Sequence, residues 1–318
     1  MAGVRRVLRW LGIALALLVA VGVVIAFIPL SRDGLDASTP APLPSAAATR
    51  AAIAAQVASE RDIKPQCHSR LLEPTRAPRG VIVLLHGLGT CPAQMQALAA
   101  LLVSDGYAVY VPLLPHHGEV GGTGSALNGL TEQDYRRFGD RTVDVVRGLG
   151  VPVTVLGISA GADVATWIGL HRKDVDSTIS VSPVLGFGRV PAFATTGFMN
   201  LFARAPSIAF GYGTKLPHRY GGLATQPLAK TLNFGRALID AADGHRPAAR
   251  RTVLVLNEHD HSTSSDLALK LAGRMQSTVQ ALPAALKLPA DVIDPLQPGA
   301  KVEDVYPLLV ALAEDEPP

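Results

Sequence analysis

With 318 residues, a formal net charge of +3 and 48% hydrophobic residues, the chain is long enough for one domain with a full core and too weakly basic to mark a nucleic-acid binder. Its two cysteines lie too far apart for a CxxC redox site, and no Cys/His spacing suits a metal ion, so no cofactor is expected.

Arg5, Arg6 and Arg9 introduce an uncharged apolar run from Trp10 to Leu30. About 20 apolar residues cross a bilayer as a helix. The apolar part of a cleaved signal peptide is normally ~7–15 residues and ends at a small-x-small site. This run is longer, and no clean Ala-x-Ala follows before Ser31. The pattern predicts a signal anchor over residues 1–30: one transmembrane helix in the cytoplasmic membrane, arginines inside, body on the extracytoplasmic, periplasmic side. A long secretory signal that is removed is the alternative, and it gives the same compartment. Residues 31–50 read as a Pro/Ala-rich tether, which leaves 51–318 for the folded domain. A disulfide persists outside the cytoplasm. Cys67 and Cys91 are therefore expected to bond, pinning the N-terminal segment over the loop after the first core strand.

From there strand and helix patterns alternate. Val81–Leu85 is a continuous apolar strand, followed by a helix from Pro92 to Ser104 with Met95, Leu98, Leu101 and Leu102 on one side. Tyr107–Val111 is the next strand. Thr131-Glu-Gln-Asp134 resembles a capping box opening a helix through Val146. Strands are expected at Val151–Leu156, Thr178–Val181, Arg251–Leu256 and Thr278–Leu282, with helices from about Ser265 to Gln276 and over Val302–Leu312. The alternation predicts an α/β fold with a doubly wound, mostly parallel sheet.

Residues 185–222 interrupt it with Phe187, Phe193, Phe198, Phe202, Phe210, Met199, Tyr212 and Tyr220. An insertion of this size between strands reads as a lid whose aromatics shape an apolar pocket; the alternative is a satellite core with no ligand role.

Gly157-Ile158-Ser159-Ala160-Gly161 stands between a β-branched run and a helical pattern. That is the setting of a nucleophile elbow, with glycines where neighbouring backbone leaves no room for a Cβ. Leu85-His-Gly-Leu-Gly-Thr90, Leu113-Leu-Pro-His-His-Gly118 and Leu256-Asn-Glu-His-Asp260 each follow a predicted strand. Together with the serine elbow, these segments resemble the α/β-hydrolase superfamily, and within it the small lipases and carboxylesterases, over most of residues 67–315.

The resemblance implies Ser159 as nucleophile and an oxyanion hole made by the backbone N–H groups of Leu88 and Ala160. It gives His86 a bracing role, and His116 and His117 a structural or rim role. No carboxylate occurs between Asp176 and Asp240, so the loop after Val181 offers none. The loop after Leu256 offers Glu258 and Asp260, and the resemblance places the acid at Asp260.

One departure is large. The superfamily runs serine, acid, histidine along the chain, yet none of the nine histidines follows His261. Leu288-Pro-Ala-Asp-Val-Ile-Asp-Pro295 resembles the histidine loop with Ala290 in the histidine's slot. Three readings stay open: a silent pseudoenzyme binding an apolar ligand or partner, recruitment of His261 or His259 as substitute base, and, as the remainder, either a misplaced slot or weak turnover by the oxyanion hole alone. An adjacent imidazole is poorly placed for Asp260, so recruitment needs Glu258 or Asp291 to orient the ring.

Between Pro183 and Ile239 the charged residues are Arg189, Arg204, Lys215, Arg219, Lys230 and Arg236. Basic groups near a bilayer favour anionic headgroups. Beside the anchor and the aromatics they suggest an acyl-ester or lipid-like substrate at the membrane; a solvated basic face is the alternative.

Overall fold

The computed structural model describes residues 2–211 and 216–314, so the expectations for Tyr212 and Lys215 lie outside the described residues. In chain order the elements are α1 (Ala2–Phe27), α2 (Ala46–Ser59), β1 (Arg70–Leu72), β2 (Val81–Leu85), α3 (Gln96–Ser104), β3 (Ala108–Val111), α4 (Glu132–Arg147), β4 (Val153–Ile158), α5 (Ala160–His171) and β5 (Ser177–Val181). The chain continues through α6 (Ala192–Phe202), β6 (Ala209–Gly211), β7 (Gly222–Ala224), α7 (Thr225–Ala241), β8 (Arg251–Asn257), α8 (Ser265–Met275), β9 (Thr278–Leu282) and α9 (Val302–Ala313).

Seven strands form one sheet in the order β1-β3-β2-β4-β5-β8-β9. Only β1 runs antiparallel to its neighbour. Strand β2 shows why its sequence is apolar throughout. Val81, Val83 and Leu85 enter one core layer with residues of α4, α5 and α7, while Ile82 and Leu84 enter the other with α3 and α9. A strand covered on both faces loses the polar alternation of a half-exposed one. The parallel register, Leu85 opposite Gly157 and Gly157 opposite Ser180, brings the carboxyl ends of β2, β4 and β5 level. Ligands of open α/β sheets bind at that edge.

The capping box at Thr131 is present, with reciprocal bonds between Thr131 and Asp134. The stretch expected to be helical from Pro92 begins as a 3-10 turn, Pro92–Met95, before α3. The Cys67–Cys91 disulfide is formed. It ties the segment before β1 to the loop after β2.

Residues 31–45 carry no helix or strand, but they lie along the body instead of hanging free. The indole N–H of Trp167 donates to the Leu35 carbonyl at 2.6 Å, Leu43 N–H donates to Asp144 O at 2.9 Å, and Arg32 pairs with Asp240. Helix α2 then begins at Ala46, inside the stretch read as tether. Ser45 caps it by accepting from Ala48 N–H, which satisfies one of the free amides of the first turn. Its alanine-rich sequence carries no strong apolar stripe, so its periodicity is faint.

Candidate active site

Ser159 sits at φ 56°, ψ −123°, between β4 and α5. A non-glycine residue in that region is strained and persists only where its surroundings over-determine it. Here the flanking glycines do so. A Cβ on Gly157 would fall 2.1 Å from Gly161 O, and one on Gly161 would fall 2.3 Å from Leu85 O. No side chain fits either gap, so β2, the turn and α5 close tightly and lift Ser159 to the sheet edge. Ser182, at the end of β5, has φ 46° and shares the same edge.

The loop after β2 crosses directly beside the serine: a Cβ on Gly87 would lie 3.3 Å from Ser159 Cβ. Gln94 Oε1 accepts from Gly87 N–H at 2.9 Å, and His117 Nε2 accepts from Gly89 N–H at 3.2 Å. Between these tied amides the Leu88 N–H meets no acceptor among the described residues, and neither does Ala160 N–H at the start of α5. Two unengaged amides beside a strained serine are what an oxyanion hole requires.

His86 Nε2 accepts from Leu114 N–H at 3.0 Å and its Nδ1–H donates to Gly87 O at 3.0 Å. His117 Nδ1–H donates to Pro115 O at 2.8 Å. Both rings are buried and neutral, burial lowering His86 well below the usual histidine value and His117 to about 4. With both nitrogens engaged they brace loops. His116 is partly exposed, 3.6 Å from Asp134.

Asp163, one turn beyond Ser159, is fully buried. Its Oδ1 accepts from Val184 N–H at 2.8 Å while Oδ2 has no partner among the described residues, and burial pushes this carboxyl well above its usual range. Asp163 thus holds the Val184 wall of the pocket.

That pocket, about 680 Å³, is lined by Leu88, Ser159, Val184, Phe187, Asp260, His261, Ala290 and Asp291 among others. A volume of this order suits a drug-sized organic molecule. Of the described aromatics in residues 185–222, only Phe187 lines it. Phe198 and Phe202 stack behind Phe187, Tyr220 is buried over the Gly89 loop, and Phe193 and Phe210 are exposed. Of the lid cations Arg189 and Arg219 reach the lining, whereas Arg204 and Lys230 donate to backbone carbonyls.

The structure brings Ser159, Asp260, His261 and Ala290 to one cavity, but it does not join them as a relay. Asp260 accepts from Ser262 N–H at 2.7 Å. His261 is exposed on the pocket wall, and His259, 6.2 Å away between ring centres, is off it. Among the described residues no imidazole is hydrogen-bonded to Ser159 or Asp260. Glu258 accepts from Ala284 N–H and is not among the residues lining the pocket.

Sequence reasoning missed what surrounds Ala290. Asp291 Oδ2 accepts from Gln94 Nε2 at 2.7 Å and from Arg219 at 2.6 Å, and Arg219 also donates to Gln297 at 3.0 Å. Beside this, His218 Nε2 meets Asp294 at 2.7 Å, both side chains buried. Two consecutive residues of the 185–222 insertion thereby pin it to the loop after β9. The partners come from distant segments, and no local spacing announces them.

Residues 76–226 match the family described as "Serine aminopeptidase, S33". The match includes Leu88 and Ser159 and stops short of Asp260 and Ala290. Among solved structures the chain is similar to a metagenome-derived lipolytic enzyme (16% identity, TM-score 0.59, 80% of this chain and 100% of that one). It is also similar to a monoacylglycerol lipase from Paleococcus ferrophilus (15%, 0.57, 78% and 99%) and to a monoglyceride lipase from Saccharomyces cerevisiae solved with a substrate analogue (11%, 0.59, 78% and 90%). No curated protein sequence matches the chain. Identities this low speak for the fold alone; with the sheet order, they show that the chain has the α/β-hydrolase fold.

Proposed function

We propose that the protein is a serine hydrolase of carboxylic esters that works through an acyl-enzyme on Ser159. The carrying observation is the strained Ser159 beside the unengaged Leu88 and Ala160 amides in a largely apolar pocket. Ser159 Oγ adds to the ester carbonyl, and the two amides hold the oxyanion as it develops. Collapse expels the alcohol, and water then releases the acid from the acyl-enzyme. His261, the one imidazole on the pocket wall among the described residues, takes the serine proton and returns it to the leaving alcohol, with His259 as the substitute. Asp260 holds the loop that carries His261 by accepting from Ser262 N–H.

The neighbouring lipolytic structures support an acyl ester or lipid-like molecule as substrate. The exposed apolar α1 supports a single-pass anchor in the cytoplasmic membrane; its N-terminal arginines and the disulfide support a periplasmic body.

A second reading is favoured by one specific observation: no imidazole is bonded to Ser159, and the histidine's slot holds Ala290 beside the Asp291–Arg219 pair. On that reading the pocket binds an apolar ligand without turnover. Hydrolysis of p-nitrophenyl esters of graded acyl length by the full chain separates the two. The enzyme reading expects turnover that Ser159→Ala abolishes and His261→Ala lowers by ~10²–10⁴. A parent no faster than Ser159→Ala supports the silent binder.

A further inference from the structure

The end of α1 is seated on the lid. Phe193, Gly197, Asn200 and Arg204 follow one another at helical spacings of four, three and four along one stripe of α6 and its C-terminal turn. A Cβ on Gly197 would lie 3.7 Å from Ala26 Cβ. Asn200 Nδ2 donates to Ala26 O at 2.9 Å, and Arg204 donates to Ile28 O and Pro29 O at 2.8 Å each. These side chains satisfy carbonyls that a helix end otherwise leaves open. Leu30 then packs in a small apolar cluster with Val184, Phe187 and Leu228, three residues that also line the Ser159 pocket. The apolar helix and the pocket wall are one side chain apart.

The depth of α1 follows from its length. Its segment Gly3–Phe27 reaches a mean hydropathy of 2.7 over its most apolar 18 residues. Only Gly22, Ile25 and Ala26 of it are partly covered by protein. At ~1.5 Å per residue its uncharged part, residues 10–27, is about 27 Å long, close to the ~30 Å of a bilayer's hydrocarbon core. The last turns of α1, and α6 lying on them, therefore fall at the boundary of that core. Two large rings stand out there into solvent, Phe27 at 82% and Phe193 at 80% exposure, with Val190 of the pocket lining exposed beside α6. Aromatic and aliphatic side chains clustered at the end of a spanning helix suit the headgroup boundary, not water.

We propose that the outer face of α6 and the end of α1 dock on the bilayer that α1 enters, so that the mouth of the Ser159 pocket at Arg189 and Val190 opens toward the leaflet and takes an acyl chain from it. The docking rests on α1 being retained, and the use made of it rests on the ester-hydrolase reading above.

The test uses the full chain in vesicles of mixed phosphatidylcholine and phosphatidylglycerol. The native disulfide stays oxidised, and one cysteine is introduced at Phe193→Cys or, on α3 in the opposite layer of the fold, at Leu101→Cys. Each is labelled with an environment-sensitive fluorophore. Lipids spin-labelled near the headgroup are expected to quench the label at position 193 about twofold or more and to leave that at 101 nearly unchanged. Equal quenching at both positions, or a purified protein whose intact mass lacks α1, overturns the docking. In the same vesicles Phe193→Asp is expected to slow hydrolysis of a bilayer-embedded ester about tenfold while sparing a water-soluble ester. A parallel fall in both, or no fall in either, overturns loading from the leaflet. If the parent hydrolyses neither ester, the hydrolase reading and the loading fail together, while the quenching still decides the docking.

Discussion

Arg219 of the lid and Asp291 of the loop after β9, 72 positions apart, meet at 2.6 Å with both side chains only 10% exposed. The carboxylate next to Ala290, the position read from the sequence as the histidine's slot, is thus bound by a guanidinium and by Gln94. Burial still pushes the Asp291 carboxyl above its usual value despite the lowering effect of Arg219. Removing one partner of a buried pair strands the other charge and costs ~3–5 kcal/mol, whereas removing both is far milder. Arg219→Met is expected to lower unfolding stability by ~3 kcal/mol, and Arg219→Met with Asp291→Asn to recover most of it. Urea unfolding of the two variants checks this, and additive losses would contradict a coupled pair.

A second expectation concerns acid. His86 and His117 are buried as neutral rings, His117 lowered to about 4. Between that value and the ordinary ~6.5 the unfolded chain holds a proton that the folded chain refuses. The stability from these rings is therefore full above the ordinary value and lost as pH falls. The loss from pH 7 to pH 5 is ~2 kcal/mol per ring. Asp163 works in the opposite sense: its raised carboxyl stabilises the fold at low pH, a contribution lost as pH rises through its shifted value. Asp163→Asn removes the titrating group and with it this opposition, so its acid loss should be steeper than the parent's. Identical pH profiles for the two proteins would contradict that assignment.

The disulfide closes a separation of 24 residues. Opening it in Cys67→Ser with Cys91→Ser should cost ~3 kcal/mol, read from the guanidinium midpoint. An unchanged midpoint would show that the segment before β1 is held without it.

Restoring a base is the converse experiment. Ala290 lines the pocket that holds Ser159, and general-base assistance is worth ~10²–10⁴ in rate. In the His261→Ala background, Ala290→His is expected to raise ester hydrolysis by ~10² or more. No gain, in a variant that folds as the parent does, would mean that position 290 is not the vacant slot.

What the sequence made legible was local. The apolar run Val81–Leu85, the Thr131 capping box and the Ser159 elbow are each dictated by neighbours a few residues away. Docking of residues 31–45 rests on single bonds such as Trp167 to Leu35, 132 positions apart. Pinning of the lid rests on Arg219 and His218, whose partners lie in the loop after β9. Contacts of that kind leave no periodicity to read. The aromatic richness of residues 185–222 was visible, but their division among pocket, core and exposed face is set by how α6 lies on α1 and α7.

The most direct test of the account is fluorophosphonate labelling of the full chain, read by intact mass beside Ser159→Ala. An activated serine gives one adduct on the parent and none on the variant; His261→Ala should then label ~10²-fold more slowly or worse. A parent that remains unmodified under conditions where Ala290→His is labelled would contradict Ser159 as a working nucleophile in this chain.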